Sequence, residues 1–414
     1  MLKKWFAVKL WKRVIGGLIL GVITGLVFGE SAAMLKPFGD LFVRAIKMLV
    51  VPLIFTTLVT GITAMGGVSK LGSIGVKAIG LYMATTAAAV SIGLAFGALF
   101  KPGAGMVFEG VTPQPVAEAP GIIDRLLGIV PTNPVAAMAS GDVLAIIFFA
   151  LLLGIGILLA GDKGKALGKV IESAADVMLK ITHIVMEAAP FGVFALISWV
   201  AGTQGIETFS SILVLAVAVY LACIVHAVFT YGVLIRVVLG LPLVRFFRGV
   251  LDAQAVAYST SSSSATLPVT MSVVENNLGV KRTVSSSVLP LGATINMDGT
   301  AIYLGIVALF AAQAFGVEMS MSAYIMIALT ATLTSVGAAG IPSASLFLLA
   351  TVLQVIDLGE VPTALVVGFI LPFDRLLDMA RTTVNVTGDA AVAVTVAKWE
   401  GQLDEEIYRT PAVE

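Results

Sequence analysis

Asp374–Asp389, DRLLDMARTTVNVTGD, sets three carboxylates, two arginines and an amide within an otherwise apolar C-terminal segment. At helical spacing Asp374, Asp378, Arg381, Asn385 and Asp389 fall within about 80° of one face, with Thr382 at its edge. Ionisable groups at membrane depth are expensive, so they face a bundle interior or a water-filled cavity and mark a pathway. A helix whose one face alternates acid, base and amide is suited to holding small charged solutes, which points to a transporter.

The rest of the chain fits that environment. It is 58% hydrophobic and only 12% charged, with mean hydropathy +1.03, whereas soluble domains carry about a quarter charged residues. Leu10–Gly29, Phe42–Met65, Gly80–Phe100, Val143–Ala160, Ile212–Val238 and Ala301–Val317 are each long enough to cross a hydrocarbon core. Zero net charge leaves no nucleic-acid footprint over the whole chain. The single cysteine, Cys223, excludes an intramolecular disulfide and reads as a small buried hydrophobe.

Lysine and arginine positions set the expected orientation. Lys3, Lys4, Lys9, Lys12 and Arg13 precede the first span and put the N-terminus in the cytoplasm. Lys70, Lys77, Lys163, Lys165, Lys169, Arg236, Arg245, Arg248, Lys281, Arg282 and Lys398 then fall on the same side. Glu30, Glu109, Glu118, Asp124, Glu207, Glu318 and Glu360 fall on the other. No small-residue cleavage site follows the first apolar run, so it reads as a helix and not a signal peptide.

Organisation changes near residue 240. Six ordinary spans precede it, with a Pro/Gly-rich external loop at Pro102–Pro120. Beyond it, Tyr258–Thr266 (YSTSSSSAT) and Thr334–Ser345 (TSVGAAGIPSAS) interrupt apolar neighbourhoods with small and hydroxyl residues. Each reads as the tip of a helical hairpin that turns back before crossing, which requires a protein-lined or water-lined setting. Each tip precedes a polar-interrupted helix, Gly292–Thr300 (GATINMDGT) after the first and Asp374–Asp389 after the second. Hairpin and broken helix, repeated, is the internal symmetry of secondary transporters that bind at the midplane.

These motifs resemble the glutamate/aspartate transporter family of dicarboxylate and amino acid:cation symporters. The similarity lies in SSSSATLPVTM (Ser261–Met271), LPLGATINMDGT (Leu289–Thr300), SVGAAGIP (Ser335–Pro342) and LDMARTTVNVTGD (Leu377–Asp389). KPFGDLFVRAIKMLVVPL (Lys36–Leu53) and IVPTNP (Ile129–Pro134) extend it across essentially the whole chain. The resemblance implies an all-α polytopic membrane protein with eight transmembrane helices, two re-entrant hairpins, inverted repeats and an elevator-type mechanism, assembled as a homotrimer in the cell membrane. It implies a scaffold of residues 1–75 (spans 1–2) and 102–205 (external loop and spans 4–5). A transport domain of residues 76–101 (span 3) and 206–414 (span 6, hairpin 1, span 7, hairpin 2, span 8) would move against it.

Side-chain chemistry suits an acidic amino acid. Arg381 offers a fork for the substrate's side-chain carboxylate, and Asp378, one turn away, is placed for the ammonium. Free N–H groups at the hairpin tips favour the main-chain carboxylate, and the resemblance adds Ser263, Thr300, Gly340, Ile341, Thr382 and Asn385 as substrate contacts. Asp298, Asp374, Asp378 and Asp389 outnumber Arg381 even with Arg375 pointing inward, so co-bound cations are required. Oxygen ligands suit a hard cation, and the resemblance implies sodium. One sodium set would be Gly292, Asn296, Asn385 and Asp389. A second would be Thr294, Ser335, Val336 and Ala338, and a third Thr85, Thr86, Asn296 and Asp298 with Tyr82 alongside.

Three positions depart from the family pattern. Leu304 stands where animal members carry an acidic proton carrier, so sodium coupling without a carrier there is expected. Ser261 and Met379 stand at the two positions where the family usually has an arginine near Asp378, and Ala338 stands where archaeal relatives have threonine. A neutral amino-acid carrier would leave Arg381 without a purpose, and a C4-dicarboxylate carrier would leave Asp378 without one. A channel would not need a substrate-shaped gated site. An intramembrane hydrolase needs a nucleophile with a base in reach, yet the only histidines, His183 and His226, lie upstream of the serine tip in spans expected to be structural; no enzyme is expected.

Overall fold

The computed structural model describes residues 8, 10–63, 72–106, 127–203, 208–336, 344–356 and 358–410. These residues form helices and no strand; one isolated bridge pairs Val280 with Leu403. In chain order the helices are α1 (Leu10–Phe28), α2 (Lys36–Thr63), α3 (Gly72–Phe100), α4 (Pro134–Ser140), α5 (Val143–Leu159), α6 (Lys165–Glu187), α7 (Ala189–Thr203) and α8 (Thr208–His226). There follow α9 (Leu243–Gly249), α10 (Leu251–Thr260), α11 (Ser263–Asn276), α12 (Arg282–Ile295), α13 (Asp298–Ala314), α14 (Met321–Val336), α15 (Ala344–Gln354), α16 (Glu360–Trp399) and α17 (Glu405–Arg409).

Four described stretches are long and apolar enough to cross a bilayer: Lys12–Thr63, Ser73–Phe100, Ser210–Val238 and Arg282–Ala314. The pair α6 and α7, bent by 47°, makes a fifth. That bend falls where Pro190 follows Ala188 and Ala189, because proline lacks the N–H of a continuous helix and disfavours helical backbone before it. The outer faces of α1 and α8 are exposed and apolar at Leu20, Val27, Leu213 and Ile224, as lipid requires. The chain is an all-α, multi-pass membrane protein.

Two groups of helices pack internally. In one, α1 lies along α7, and α2 lies against α5, α6 and α7. In the other, α3 packs on α8, α12, α13, α14 and α16, and α16 packs on α8 and on α10 through α13. Small residues allow the closest approach in the first group. A Cβ on Gly21 would sit 2.9 Å from the Phe194 carbonyl, and one on Gly25 would sit 2.6 Å from that of Ser198. Gly17, Gly21 and Gly25, four apart, therefore form the seam along which α1 meets α7, as small residues do between membrane helices. In the second group, Ser73 and Lys77 of α3 bond Glu400, just past α16, at 2.5 and 2.7 Å. The Lys77 bond, helped by Ser73, holds that carboxyl below the usual range.

The serine tip turns back as expected. Ser261 adopts left-handed backbone at φ +53, and Ser262 caps α11 by accepting the Ala265 N–H at 3.1 Å. The second tip, residues 337–343, lies outside the described residues, although α14 and α15 on either side of it pack together. Most of the Pro102–Pro120 loop and the first lysines also lie outside them.

One expectation is corrected. Gly292–Thr300 is broken, with Asn296 and Met297 non-helical between α12 and α13. Its counterpart is not, since α16 runs unbroken for 40 residues. Gly388 in α16 does not mark a break but a close approach, because a Cβ there would sit 2.5 Å from the Tyr231 hydroxyl and 2.6 Å from Asn296 Nδ2. Thr383, Thr387 and Thr395 return their hydroxyls to carbonyls four residues back, so the helix itself takes up these polar groups.

Gly21→Leu should force α1 off α7 and cost about 1–3 kcal/mol. Thermal unfolding in detergent reads this out, and an unchanged midpoint would contradict the seam.

Candidate functional site

The polar stripe of α16 is buried throughout. Asp374, Asp378, Arg381, Thr382, Asn385 and Asp389 are each at most 5% exposed. At its upper end Arg381, fully buried, donates from one nitrogen, Nη2, to Asp374 Oδ1 at 2.8 Å and to Asp378 Oδ1 at 3.0 Å. Its guanidinium carbon lies 4.1 Å from the centre of the Tyr303 ring, a contact worth about 2 kcal/mol when desolvated. Nε and Nη1 have no hydrogen-bond partner among the described residues, and neither has Asp374 Oδ2. A buried guanidinium edge left without acceptors is costly, and its planar fork matches an incoming carboxylate.

Hairpin 1 reaches this end of α16. Arg375 donates to the Thr260 carbonyl at 3.1 Å, so it fastens the tip to α16. Ser261, at one usual position for the missing arginine, is buried with an unpartnered hydroxyl. Ser263 and Thr300 are buried, Ser263 opening α11 and Thr300 in the first turn of α13.

One to two turns along, α16 meets the break between α12 and α13. Asn385 Oδ1 accepts the Gly299 N–H at 2.7 Å, and its Nδ2 points to Met297 Sδ at 3.2 Å. Asn296 Nδ2 donates to the Asn385 carbonyl at 3.1 Å and to Asp389 Oδ1 at 2.9 Å. Asn296 Oδ1 is buried and has no described partner. Gly292 lies against Asp389, since a Cβ on it would collide with that carboxylate and with the Tyr82 hydroxyl. Gly292, Asn296, Asn385 and Asp389 are thus neighbours, offering a carboxylate, an unmet amide oxygen and carbonyls to a hard cation.

Beside them, Thr86 donates to Asp298 Oδ1 at 2.7 Å, while Thr85 returns to the Tyr82 carbonyl and Tyr82 donates to that of Val288. Thr294 and Ser335 of the second expected cation set each bond back to their own helix. Ala338, like Gly340 and Ile341 of the expected substrate set, lies outside the described residues, and of Val336 only the backbone is described. Among the described residues no group of three His, Cys, Asp or Glu could hold a metal ion, so any cation site here rests on mixed oxygen donors.

Sequence reasoning missed three residues. His226 Nε2 lies 3.1 Å from Asp298 Oδ2, and the Tyr231 hydroxyl donates to the same oxygen at 2.8 Å. Tyr303 carries the Arg381 fork. The signal for His226 was present as an imidazole in the middle of an apolar span, where a polar group needs a partner. Its five-residue spacing from Tyr231 gives no hint in an α-helical reading.

Comparison with known proteins follows the same lines. A family model described as the sodium:dicarboxylate symporter family matches residues 10–399. The chain is 35% identical over 410 residues to the proton/sodium-glutamate symport protein of Bacillus caldotenax, covering 96% of this chain and 95% of that one. It is 34% identical over 395 residues to the proton/glutamate-aspartate symporter of Bacillus subtilis, covering 94% of each. The C4-dicarboxylate transport protein of Azorhizobium caulinodans is also 34% identical, over 407 residues that cover 96% of this chain and 90% of that one.

Gly388→Ala is expected to destabilise by about 1–3 kcal/mol through overpacking against Tyr231 and Asn296. An ordinary helix-interior position would gain about 0.5–1 kcal/mol from the same change, so the sign of the shift in unfolding midpoint decides whether Gly388 is there for close approach.

Proposed function

From a chain that belongs to the sodium:dicarboxylate symporter family, we propose a secondary active symporter that carries an acidic amino acid, L-aspartate or L-glutamate, inward with sodium. The observation that carries this reading is the Arg381 edge, whose Nε and Nη1 are fully buried without described partners beside two carboxylates. An acidic amino acid brings a carboxylate to the open edge and an ammonium to Asp378. A C4-dicarboxylate, the substrate class in the name of one relative, has no ammonium and would add two negative charges beside Asp374 and Asp378.

Charge then explains coupling. Four buried aspartates face one fully buried arginine, and the substrate adds a further net negative charge. Cations at Gly292, Asn296, Asn385 and Asp389, at Thr294, Ser335, Val336 and Ala338, and beside Asp298, Asn296, Thr85, Thr86 and Tyr82 make substrate binding favourable. Substrate in turn makes theirs favourable, a reciprocal coupling. Sodium here is cargo and not a resident cofactor, and nothing in the reading calls for an enzyme. Ser263, Thr300, Thr382, Gly340 and Ile341 complete the substrate contacts.

The fold reading keeps eight spans and two re-entrant hairpins in the cell membrane, with the N-terminus in the cytoplasm. The scaffold would be residues 1–75 and 102–205, and the moving unit 76–101 and 206–414, in a homotrimer. α1, α2, α5, α6 and α7 pack mainly on one another, with α14, α15 and α16 touching them at the boundary, which supports that division.

Uptake of radiolabelled aspartate and glutamate into proteoliposomes, with and without an inward sodium gradient and with succinate as competitor, tests the reading. Uptake that requires sodium and resists succinate is expected. Uptake driven by a proton gradient alone would overturn the cation, and preferred uptake of succinate would overturn the substrate. Arg381→Ala removes two charge-assisted hydrogen bonds and should weaken binding of the acidic substrate by about a hundredfold or more. Calorimetry that finds the affinity unchanged would refute the role of Arg381.

A further inference from the structure

His226 and Tyr231 stand five residues apart, which in an α-helix places them about 140° apart around the axis. Both nevertheless reach one oxygen, Asp298 Oδ2. The backbone explains how. Directly after His226, α8 widens into π-helix over Ala227–Tyr231 and again over Val233–Val238. Its i to i+5 bonding brings residues five apart onto nearly one face, a feature found mostly at functional sites. The two rings meet edge to face with centroids 4.8 Å apart.

The imidazole is oriented as well as placed. A carboxylate only accepts, so Nε2 must carry the proton toward Asp298. Nδ1 lies 3.1 Å from the Thr230 hydroxyl, one turn on, which holds the other edge of the ring. His226 and Asp298 are both fully buried. Two donors thus hold Oδ2, and among the described residues Oδ1 accepts from Thr86. On the same chain break, two residues earlier, Asn296 has both amide hydrogens engaged and its Oδ1 buried without a described partner.

We propose that His226 and Tyr231 are positioning residues that grip Asp298 Oδ2 and so present Oδ1, with the hydroxyl of Thr86 and the amide oxygen of Asn296, to a sodium ion. Partners behind a ligating group fix its orientation, and their loss typically lowers metal affinity about 10–100-fold. The π-helical stretch is the device that lets one helix supply both. Gly388 is its counterpart on α16, leaving room for the Tyr231 hydroxyl.

The inference rests on the sodium-coupled reading. The test compares wild type, His226→Ala, His226→Gln and Tyr231→Phe as purified full-length protein. Three quantities are read: the sodium concentration that half-saturates aspartate uptake in proteoliposomes, the same value for aspartate binding by calorimetry, and the rise in Tm produced by sodium chloride over choline chloride without substrate. In His226→Ala the sodium requirement should rise about tenfold or more and the sodium-induced rise in Tm should shrink. Uptake should be recovered at high sodium. His226→Gln, whose amide can donate to Asp298, should restore most of the sodium affinity. Tyr231→Phe, which keeps the ring and loses one donor, should fall between wild type and His226→Ala, and it serves if His226→Ala does not fold. Sodium requirements within about twofold of wild type in the variants would overturn the proposal and leave sodium coupling standing. Wild-type uptake and Tm indifferent to sodium would instead remove the reading on which it rests.

Discussion

Buried negative charge is the constraint around which this molecule is arranged. Asp298, Asp374, Asp378 and Asp389 are all removed from water, and each needs donors or cations that the apolar surroundings do not supply. Arg381 meets two of them through a single nitrogen. Asn296 meets Asp389. Asp298 receives a threonine, a tyrosine and a histidine from two further helices. These bonds determine which helices meet at the centre. They explain why α16 is polar along one face, why α12 and α13 are separated by a break, and why α8 departs from α-helical winding.

The two polar segments of the C-terminal half meet the constraint differently. In the first, the backbone opens at Asn296 and Met297, and Asn385 caps the buried N-terminus of α13 by accepting the Gly299 N–H. In the second, α16 stays continuous for 40 residues, roughly 60 Å, and offers side chains in place of backbone. A broken helix provides carbonyls and an amide oxygen to a cation, while an intact helix holds a row of charges at fixed spacing. A site that binds both a cation and a charged solute has use for each.

Much of this was legible in the chain. The polar stripe on α16 follows from 3.6-residue periodicity and is buried as that periodicity requires. The serine tip follows from the clustering of Ser261 to Ser264, and the break from Asn296 and Asp298 interrupting an apolar run. What escaped did so for physical reasons. Nothing in the sequence around Gly388 marks a contact, yet the atoms of Tyr231 and Asn296 pressing on it make it one. His226 and Tyr231 escaped because sequence periodicity assumes one winding, and a π-helical stretch changes which residues share a face. Arg375 lies off the main arc of the stripe, and hairpin 1 takes its guanidinium.

Rigidity of α16 bears on how strongly solute and cation can influence each other in the proposed symport. Arg381 and Asp389 are eight residues apart on one unbroken helix, roughly 12 Å along its axis. At an effective dielectric near 20, unit charges at that separation interact by about 1.4 kcal/mol, close to a tenfold change in affinity. Through-space attraction between one sodium at Asp389 and one carboxylate at Arg381 thus accounts for modest coupling. It falls short of making binding of one partner obligatory for the other. Stronger coupling needs cations at more than one position, or an element both ligands must close. Asn385, lying between the two charges on α16 and bonded to the first turn of α13, links the solute end to the broken helix mechanically. A cation that fixes the break therefore also fixes the residue beside Arg381, and geometry adds to what charge alone supplies.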